Sequence, residues 1–199
     1  MPDDTSGSPL ARDQAADGTA LLIVDMVSEW RFPGAEQLLG RVLSIAPALQ
    51  ALKARCRRAG IPAIYANDNH GRWRSDVRAL VSEGLAAGGE RTRLMQMLQP
   101  HEDDYFVLKP KQSAFFATPL DLLLSHLKVT RLIVTGVTID QCVLATLIDA
   151  RMRDYELLCP EDCLAARDQE RHAHARWHLA EVLGLDMTRS ENLRLPGEG

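Results

Sequence analysis

The sequence predicts an α/β fold in which a central parallel sheet lies between two layers of helices, a Rossmann-like three-layer αβα arrangement. Four apolar runs, each bounded by turn residues, have the length and composition of strands that are buried on both faces. Helical patterns separate these runs, and strands that alternate with helices form parallel sheets. A length of 199 residues suits one such domain and is too short for two comfortable ones.

Each apolar run ends at polar residues or leads to a cysteine. Asp25 ends the first run, ALLIVDM. Asn67 and Asp68 end the second, IPAIYANDNH, and Lys109 ends the third, DYFVLKPK. Cys142 follows the fourth, RLIVTGV, after a short turn. Helical patterns are expected over residues 35–59, 118–128, 141–154 and 169–183.

Two parts of the chain have less regular patterns. Residues 1–18 are small and polar, so we expect a flexible N-terminal segment followed by a single domain over residues 19–199. Residues 68–103 contain GRWRSD, GLAAGGE and QPHEDD and are expected to form a long irregular insertion. Such an insertion would lie above the carboxyl edge of the sheet, where it could carry substrate contacts.

Composition and charge argue against several classes of function. The chain is 46% hydrophobic with a formal net charge of −4, which does not suggest nucleic acid or an anionic membrane surface as a partner. No apolar stretch reaches the ~20 residues of a membrane-spanning helix, and the N-terminus lacks the pattern of a secretory signal. The four cysteines have neither disulfide-framework nor zinc-site spacing, so we expect reduced thiols and a cytoplasmic protein.

Asp25, Lys109 and Cys142 occupy equivalent places at the ends of expected strands. Ligands of parallel sheets bind outside the carboxyl ends of the strands, so the three residues are expected to converge on one crevice. Cys142 also stands at the expected start of a helix, where unpaired N–H groups and the helix dipole favour a thiolate. Taken singly, each residue has a simpler explanation: a carboxylate that caps a loop, a solvated lysine, or a small core cysteine. Their shared position favours a catalytic site.

Three segments resemble the isochorismatase-like cysteine hydrolase superfamily, which includes nicotinamidases, N-carbamoylsarcosine amidases and ureidoacrylate amidohydrolases. They are LLIVDMVSEW around Asp25, LKPKQSAFFATPLDLLL around Lys109 and TGVTIDQCVLATLIDA around Cys142. The resemblance extends over residues 19–190 and implies the isochorismatase-like hydrolase fold. It also implies hydrolysis of a C–N bond in a small amide, carbamoyl or ureide substrate, without a cofactor, by a homo-oligomer (a dimer or tetramer).

The resemblance assigns a role to each of the three residues. Cys142 is the nucleophile, and Asp25 accepts the thiol proton and later delivers it to the leaving amine. Lys109 holds the site electrostatically. Lys111 competes for the lysine role, but the family pattern places this lysine four residues before Ser-Ala-Phe and therefore selects Lys109.

An oxyanion hole is also implied by the resemblance. The family forms it from two backbone amides, which here are the N–H groups of Thr138 and Cys142. The bond between Val137 and Thr138 is expected to be a cis peptide. The chain has Thr138-Ile139 where many relatives have Ala-Thr, which is a departure from the family pattern.

A metal site is suggested only in part. Nicotinamidases of the family bind a metal through Asp-x-His and a further histidine. Asp68 and His70 match the first part, but no histidine follows until His101, and two ligands are too few for a catalytic zinc. We therefore expect no metal, and we assign Asp68 and His70 to substrate binding.

Aromatic and basic residues could form the remaining walls of the pocket. Trp73, in GRWRSD, and Phe116, after the strand of Lys109, are expected to bind the substrate. Arg72 and Arg74 either meet a carboxylate on the substrate or face water, and water is the simpler expectation.

Other functions fit the sequence less well. A haloacid-dehalogenase-type phosphatase needs a second aspartate two residues after Asp25, where Val27 stands. A dinucleotide site needs G-x-G-x-x-G, which MVSEWRFPG does not supply. Isochorismatase itself cleaves an enol ether without the cysteine, so Cys142 favours C–N hydrolysis. Enol ether hydrolysis and a catalytically silent scaffold of the same fold remain the alternatives, although a scaffold has no need of all three groups.

Overall fold

One parallel sheet organises the part of the chain that the structure, a computed structural model, describes: residues 15–69, 71–74 and 76–198. The strand order is β3-β2-β1-β4-β5, and β6 pairs with β4 beyond β5. The strands are β1 (Thr19–Val24), β2 (Ala63–Asp68), β3 (Tyr105–Lys109), β4 (Arg131–Val137), β5 (Glu156–Leu158) and β6 (Leu164–Ala165).

Helices cover both faces of this sheet. They are α1 (Ala35–Arg58), α2 (Val77–Leu85), α3 (Gly89–Leu98), α4 (Leu120–His126), α5 (Cys142–Arg151) and α6 (Gln169–Trp177), which continues into a π-helical turn (His178–Val182). Leu21 and Ile23 of β1 pack in the same core as α1, α2 and α3, whereas Ala20, Leu22 and Val24 face the core of α4, α5 and α6. Because both faces are buried, the strands are apolar over most of their length, and their charged residues lie at the strand ends. The predicted three-layer αβα class is confirmed.

The strand order reverses between β1 and β4. The chain runs outward from β1 through β2 to β3 and then returns to the other side of β1 as β4. The two central strands approach closely at their carboxyl ends, where Val24 is in register with Gly136. Gly136 has φ of +107°, and a Cβ atom there would overlap the carbonyl oxygen of Val24. The crevice expected at such a reversal therefore lies beyond Val24 and Gly136.

The expectation of an irregular insertion over residues 68–103 is wrong, because most of it forms α2 and α3. Leu94, Met95 and Leu98 lie on one face of α3 and pack with Leu80 of α2 in the core beside α1. The glycine-rich GLAAGGE is the break between two helices and does not mark a lack of helix. The four helical patterns predicted elsewhere correspond to α1, α4, α5 and α6, with ends shifted by a few residues.

The N-terminal segment is described only in part. Residues 1–14 lie outside the described residues. The N–H of Ala15 donates to the carbonyl of Leu127 (3.1 Å), and Ala16–Gly18 form a 3₁₀ turn, so residues 15–18 are attached to the domain. Of the helices in the described ranges, none has both the length and the apolar character needed to cross a membrane.

Candidate active site

Asp25 follows β1 directly and is held at the carboxyl edge of the sheet. Its φ of +53° lies in the left-handed region, where non-glycine residues are rare and often functional. Its N–H donates to the carbonyl of Ala66 (2.9 Å), and its Oδ1 accepts from the N–H of Asp68 (2.7 Å). The other carboxylate oxygen, Oδ2, lies 2.8 Å from Nζ of Lys109. Burial raises the pKa of Asp25, and the charge of Lys109 opposes that rise.

Lys109, the last residue of β3, places its ammonium between the other two predicted residues. Its side chain is fully buried. Besides the contact with Asp25, Nζ lies 3.3 Å from the carbonyl of Lys111, 3.4 Å from Sγ of Cys142 and 3.7 Å from Oδ2 of Asp68. Burial by itself lowers the pKa of Lys109, but the surrounding negative charges, that of Asp25 first, outweigh it and raise the pKa. The ammonium therefore stays charged, and exposed Lys111 contributes only its carbonyl group.

Cys142 is the first residue of α5 and is half-buried. Burial raises the pKa of its thiol to about 12, and the negative charge of Asp25 adds to this effect, while Lys109 opposes it. The thiol is therefore protonated near neutral pH. The expectation of a resting thiolate is wrong, because burial and the nearby carboxylate outweigh the helix N-terminus and the lysine.

The turn between β4 and α5 holds its backbone in a defined arrangement. The peptide bond between Val137 and Thr138 is cis. The N–H of Ile139 donates to the carbonyl of Ala165 (2.9 Å), and the N–H of Val143 donates to the carbonyl of Thr138 (3.2 Å). Over the described ranges, the N–H groups of Thr138 and Cys142 donate to no protein acceptor. Two backbone donors beside the sulfur thus remain available.

A cavity of about 440 Å³ opens beside Cys142, within the usual size of a small-molecule site. The loop between β1 and α1 supplies one wall, which includes Trp30, and the end of β2 supplies Asn67 and Asp68. Arg167, which follows β6, also borders the cavity. Asp25 and Cys142 open onto it, so a ligand there can reach both the carboxylate and the sulfur.

Three of the lining residues carry a buried polar atom with no hydrogen-bond partner in the described part of the chain. These atoms are Nε1 of Trp30, Oδ1 of Asn67 and Nε of Arg167. The amide nitrogen of Asn67 donates to the carbonyl of Val27 (2.7 Å), so the orientation of that side chain is fixed. A buried polar group without a partner costs about 1–3 kcal/mol, so the cavity is suited to a polar ligand.

Comparison with known proteins identifies the family. The family model of the isochorismatase domain matches residues 19–191. The chain belongs to the isochorismatase family. It is 37% identical over 175 residues to the isochorismatase-family protein YaaI of Bacillus subtilis, which covers 87% of this chain and 95% of YaaI. It is also 29% identical over 182 residues to the ureidoacrylate amidohydrolase RutB of Cronobacter sakazakii, which covers 77% of each chain.

Solved structures agree on the fold of this isochorismatase-family hydrolase. The crystal structure of N-carbamoylsarcosine amidase from Thermoplasma acidophilum superposes with a TM-score of 0.65 and 24% sequence identity, covering 91% of this chain and 99% of that one. The family model and the YaaI relative confirm the recognition of the superfamily from its three sequence segments.

The structure brings some of the predicted residues of this family member together and separates others. Asp25, Lys109, Cys142 and Asp68 meet at the carboxyl edge of the sheet, as their positions at strand ends predict. His70, which was assigned to substrate binding, lies outside the described residues. Within the described ranges, no three His, Cys, Asp or Glu side chains are grouped as metal ligands would be.

In the single chain, Trp73 and Phe116 do not lie at the cavity to which the sequence analysis assigned them. Trp73 is 82% exposed and Phe116 is 56% exposed, and neither borders the cavity. Of the neighbouring residues Phe115 and Phe116, Phe115 is the buried one. Its ring packs against that of Tyr155 on the face of the sheet covered by α4, α5 and α6. The polar GRWRSD stretch leads into α2, which packs against α3 and leaves the crevice open.

The sequence reasoning missed Trp30, Arg167 and the loop after β1. Arg72, considered for a substrate carboxylate, instead pairs with Glu29 (3.2 Å) and Glu83 (2.8 Å). The cation at the cavity is Arg167. The sequence gives a weak indication of Arg167, because CLAARD is one more short apolar run that ends in charged residues.

Proposed function

We propose that this protein is a cysteine hydrolase that cleaves a C–N bond of a small amide, carbamoyl or ureide substrate through a thioester, with Asp25, Lys109 and Cys142 as its catalytic triad. One observation carries the proposal: a thiol and a carboxylate are held on the same buried ammonium, at 3.4 Å and 2.8 Å. The name of the relative RutB, a ureidoacrylate amidohydrolase, supports a C–N bond as the target.

The first step is attack by the sulfur on the substrate carbonyl. The thiol is protonated at rest, so the proton moves to the carboxylate of Asp25 as the bond between Sγ and the carbonyl carbon forms. The positive charge of Lys109 opposes the rise in the pKa of Asp25 and so favours its ionised form before this transfer. The carbonyl π electrons move to oxygen, and a tetrahedral oxyanion results.

The oxyanion is stabilised by the backbone N–H groups of Thr138 and Cys142. Both lie in the turn beside the sulfur, and neither is engaged by another described residue. Donors that are already in place need no reorganisation when charge develops, which makes them effective in the transition state.

The tetrahedral species collapses and breaks the C–N bond. Asp25 returns its proton to the nitrogen, so ammonia or an amine leaves and a thioester on Cys142 remains. A water molecule then attacks the thioester and gives its proton to Asp25. Collapse breaks the bond between carbon and sulfur, and Asp25 returns its proton to the sulfur, which restores the thiol. All protons and bonds are accounted for by these side chains and water, and Asp68, at the cavity border, remains our assignment for substrate binding.

We also propose that the chain assembles as a homo-oligomer, a dimer or tetramer. The large apolar side chains of Leu122 on α4 and Met152 after α5 are exposed. Their chain neighbours Asp121 and Arg153 form an ion pair (3.7 Å), so both apolar residues belong to the same region of the surface. Adjacent exposed apolar residues often mark an interface. Light scattering on a size-exclusion column should give at least twice the 22.1 kDa chain mass, and a monomer would contradict the proposal.

The function is tested by a panel of substrates. Ammonia release is measured with nicotinamide, N-carbamoyl amino acids and ureides, and isochorismate is included for the enol ether alternative. The wild-type protein should release ammonia from at least one C–N substrate, and Cys142→Ala should release none while it remains folded by circular dichroism. Turnover of isochorismate alone, or equal turnover by Cys142→Ala, would overturn the proposal. A folded protein that is inactive on every compound would favour the scaffold.

A further inference from the structure

The distance between Lys109 and Cys142 is not set by any direct pairing of their strands. Lys109 ends β3 and Cys142 follows β4, and the strand order places β2 and β1 between those two strands. Because neighbouring strands lie about 4.8 Å apart, β3 and β4 are separated by about 14 Å. Small displacements add up over three spacings, yet Nζ of Lys109 lies 3.4 Å from Sγ of Cys142. A link outside the strand ladder would define this contact more closely.

Thr146 of α5 provides such a link. Its side chain is fully buried and does not border the catalytic cavity. Its Oγ1 donates to the carbonyl of Cys142 (2.7 Å) and accepts from the N–H of Ala114 (3.0 Å). The first contact is common, because a hydroxyl in a helix often donates to the carbonyl four residues earlier. Helix formation does not explain the second, because Ala114 belongs to the segment over residues 110–116 that follows β3.

The contacts of Thr146 close a circuit through the site. Nζ of Lys109 lies 3.3 Å from the carbonyl oxygen of Lys111, which belongs to the same segment as Ala114. Ala114 donates to Thr146, and Thr146 donates to the backbone of Cys142, whose sulfur contacts Nζ again. A displacement of the segment after β3 relative to α5 would therefore change both the hydrogen bonds of Thr146 and the distance between the ammonium and the sulfur.

A second contact joins the same two elements. Oγ of Ser113 donates to Oδ2 of Asp149 on α5 and accepts from the N–H of Phe115 (3.2 Å). Cys142, Thr146 and Asp149 are spaced by four and then three residues, so they lie on one face of α5. The helix face that begins with the nucleophilic sulfur thus continues into the two side chains that hold the segment after β3.

We propose that Thr146 is a positioning residue, which holds the ammonium of Lys109 against the sulfur of Cys142 by linking α5 to the segment after β3. The inference rests on the proposed function, because it concerns the contact on which the attack by the sulfur depends. Loss of the hydroxyl leaves the buried N–H of Ala114 without an acceptor, so the segment is expected to shift toward another one. The ammonium then stays with Asp25, 2.8 Å away, and leaves the sulfur.

The test removes the hydroxyl and keeps the shape of the side chain, in Thr146→Val. The rate constant for alkylation of Cys142 by iodoacetamide is measured at pH 8 by mass spectrometry of the Cys142 peptide. Lys109 opposes the rise in the pKa of the Cys142 thiol, so loss of their contact should leave less thiolate at a given pH. We expect the rate to fall by about tenfold, the weaker end of the range for a charge-assisted hydrogen bond. On the best amide of the panel, kcat should fall by about tenfold or more while KM stays within about twofold, because the hydroxyl does not border the cavity.

Thr135→Val is the matched control for a loss of stability alone. Thr135 is also fully buried, and its Oγ1 donates to the carbonyl of Leu22 (3.1 Å) within the sheet. Both valine variants should unfold at a lower urea concentration than wild type, but the alkylation rate of Thr135→Val should stay within about twofold of wild type. Thr146→Ser keeps the hydroxyl and should restore the rate to within about threefold of wild type. A wild-type rate in folded Thr146→Val, or the same loss in Thr135→Val or in Thr146→Ser, would overturn the inference.

Ser113→Ala keeps the inference testable if Thr146→Val does not fold. This change removes the contact with Asp149, so the alkylation rate should fall by about threefold or more, and a wild-type rate would contradict the inference. Alkylation requires no amide hydrolysis. A rate that depends on the Thr146 hydroxyl in a protein that hydrolyses no amide would therefore contradict the proposed function and leave the positioning role standing, whereas amidase activity with a wild-type kcat in Thr146→Val would do the reverse.

Discussion

Replacement of Lys109 by methionine tests the electrostatic core of the site. Methionine keeps much of the volume but removes the ammonium that lies 2.8 Å from the carboxylate of Asp25. At an effective dielectric constant of about 20, two unit charges at this distance attract by about 6 kcal/mol, and loss of one partner of a buried pair typically costs about 3–5 kcal/mol. Asp25 then retains the N–H of Asp68 and the thiol of Cys142 as donors but no neighbouring positive charge, so its already raised pKa should rise further.

A protonated Asp25 cannot accept the proton of the Cys142 thiol. We expect kcat/KM to fall by about 10²–10⁴-fold, the usual contribution of a general base, and the remaining activity to move to higher pH. Since the folded state of Lys109→Met binds the Asp25 proton more tightly than wild type does, its unfolding free energy should decline relative to wild type as the pH rises above the wild-type pKa of Asp25, which itself lies above the usual value of about 4.

The assay is a pH profile of kcat/KM on the best amide of the panel, with urea unfolding at pH 5 and pH 8. Lys111→Met is the matched control, because Lys111 is exposed and contributes only a carbonyl to the site, so its profile and stability should match wild type. Wild-type activity with an unshifted profile in Lys109→Met would refute the reasoning.

Four further predictions concern the site and its scaffold. Asp25→Asn should slow thioester formation by about 10²–10⁴-fold in rapid-quench mass spectrometry, and a parental rate would remove the acid–base role. Iodoacetamide should label Cys142 ahead of the other cysteines, since those three are fully buried, and its rate should still be rising at pH 9 because the thiol pKa is about 12; equal labelling of all four would contradict this. Gly136→Ala should lower the unfolding free energy by at least about 1–3 kcal/mol in urea, because its Cβ meets Val24, and unchanged stability would contradict the close approach. Turnover should survive chelators; if chelation abolished it and zinc restored it, a metal-dependent mechanism would replace the one proposed.

The residues that we propose as catalytic could be predicted because their positions follow from the sheet. In a parallel sheet, all strands end at the same edge, so Asp25, Lys109 and Cys142 had to approach one another once the strands were recognised. The residues that form the walls of the cavity cannot be located from the strand ends in this way. Trp30 and Arg167 reach the cavity from irregular segments, whose paths depend on packing between distant parts of the chain, and neither segment has a periodic pattern.

Two errors of the sequence reasoning have physical causes. The helices α2 and α3 were not predicted because GLAAGGE and the residues around it are rich in glycine and polar side chains. The few buried positions of these helices become recognisable only once their packing against α1 is known. The thiolate of Cys142 was expected from the helix N-terminus alone. The ionisation of a thiol depends on the sum of burial and all neighbouring charges. A sequence does not show that the carboxylate beside Cys142 is that of Asp25, which also contacts Lys109.

The close approach of Val24 and Gly136 affects how the substrate specificity of such a protein can change. Asp25 and Cys142, the proposed base and nucleophile, follow two strands whose backbones touch, so the ladder between those strands fixes their spacing. The wall that includes Trp30 belongs to the loop over residues 26–34, after Asp25, which can vary in length without disturbing that ladder. The strand ends that position Asp25 and Cys142 and the loop that includes Trp30 are thus separate segments of the chain. Exchange of this loop is a route to new substrate specificities that leaves the positions of Asp25 and Cys142 unchanged.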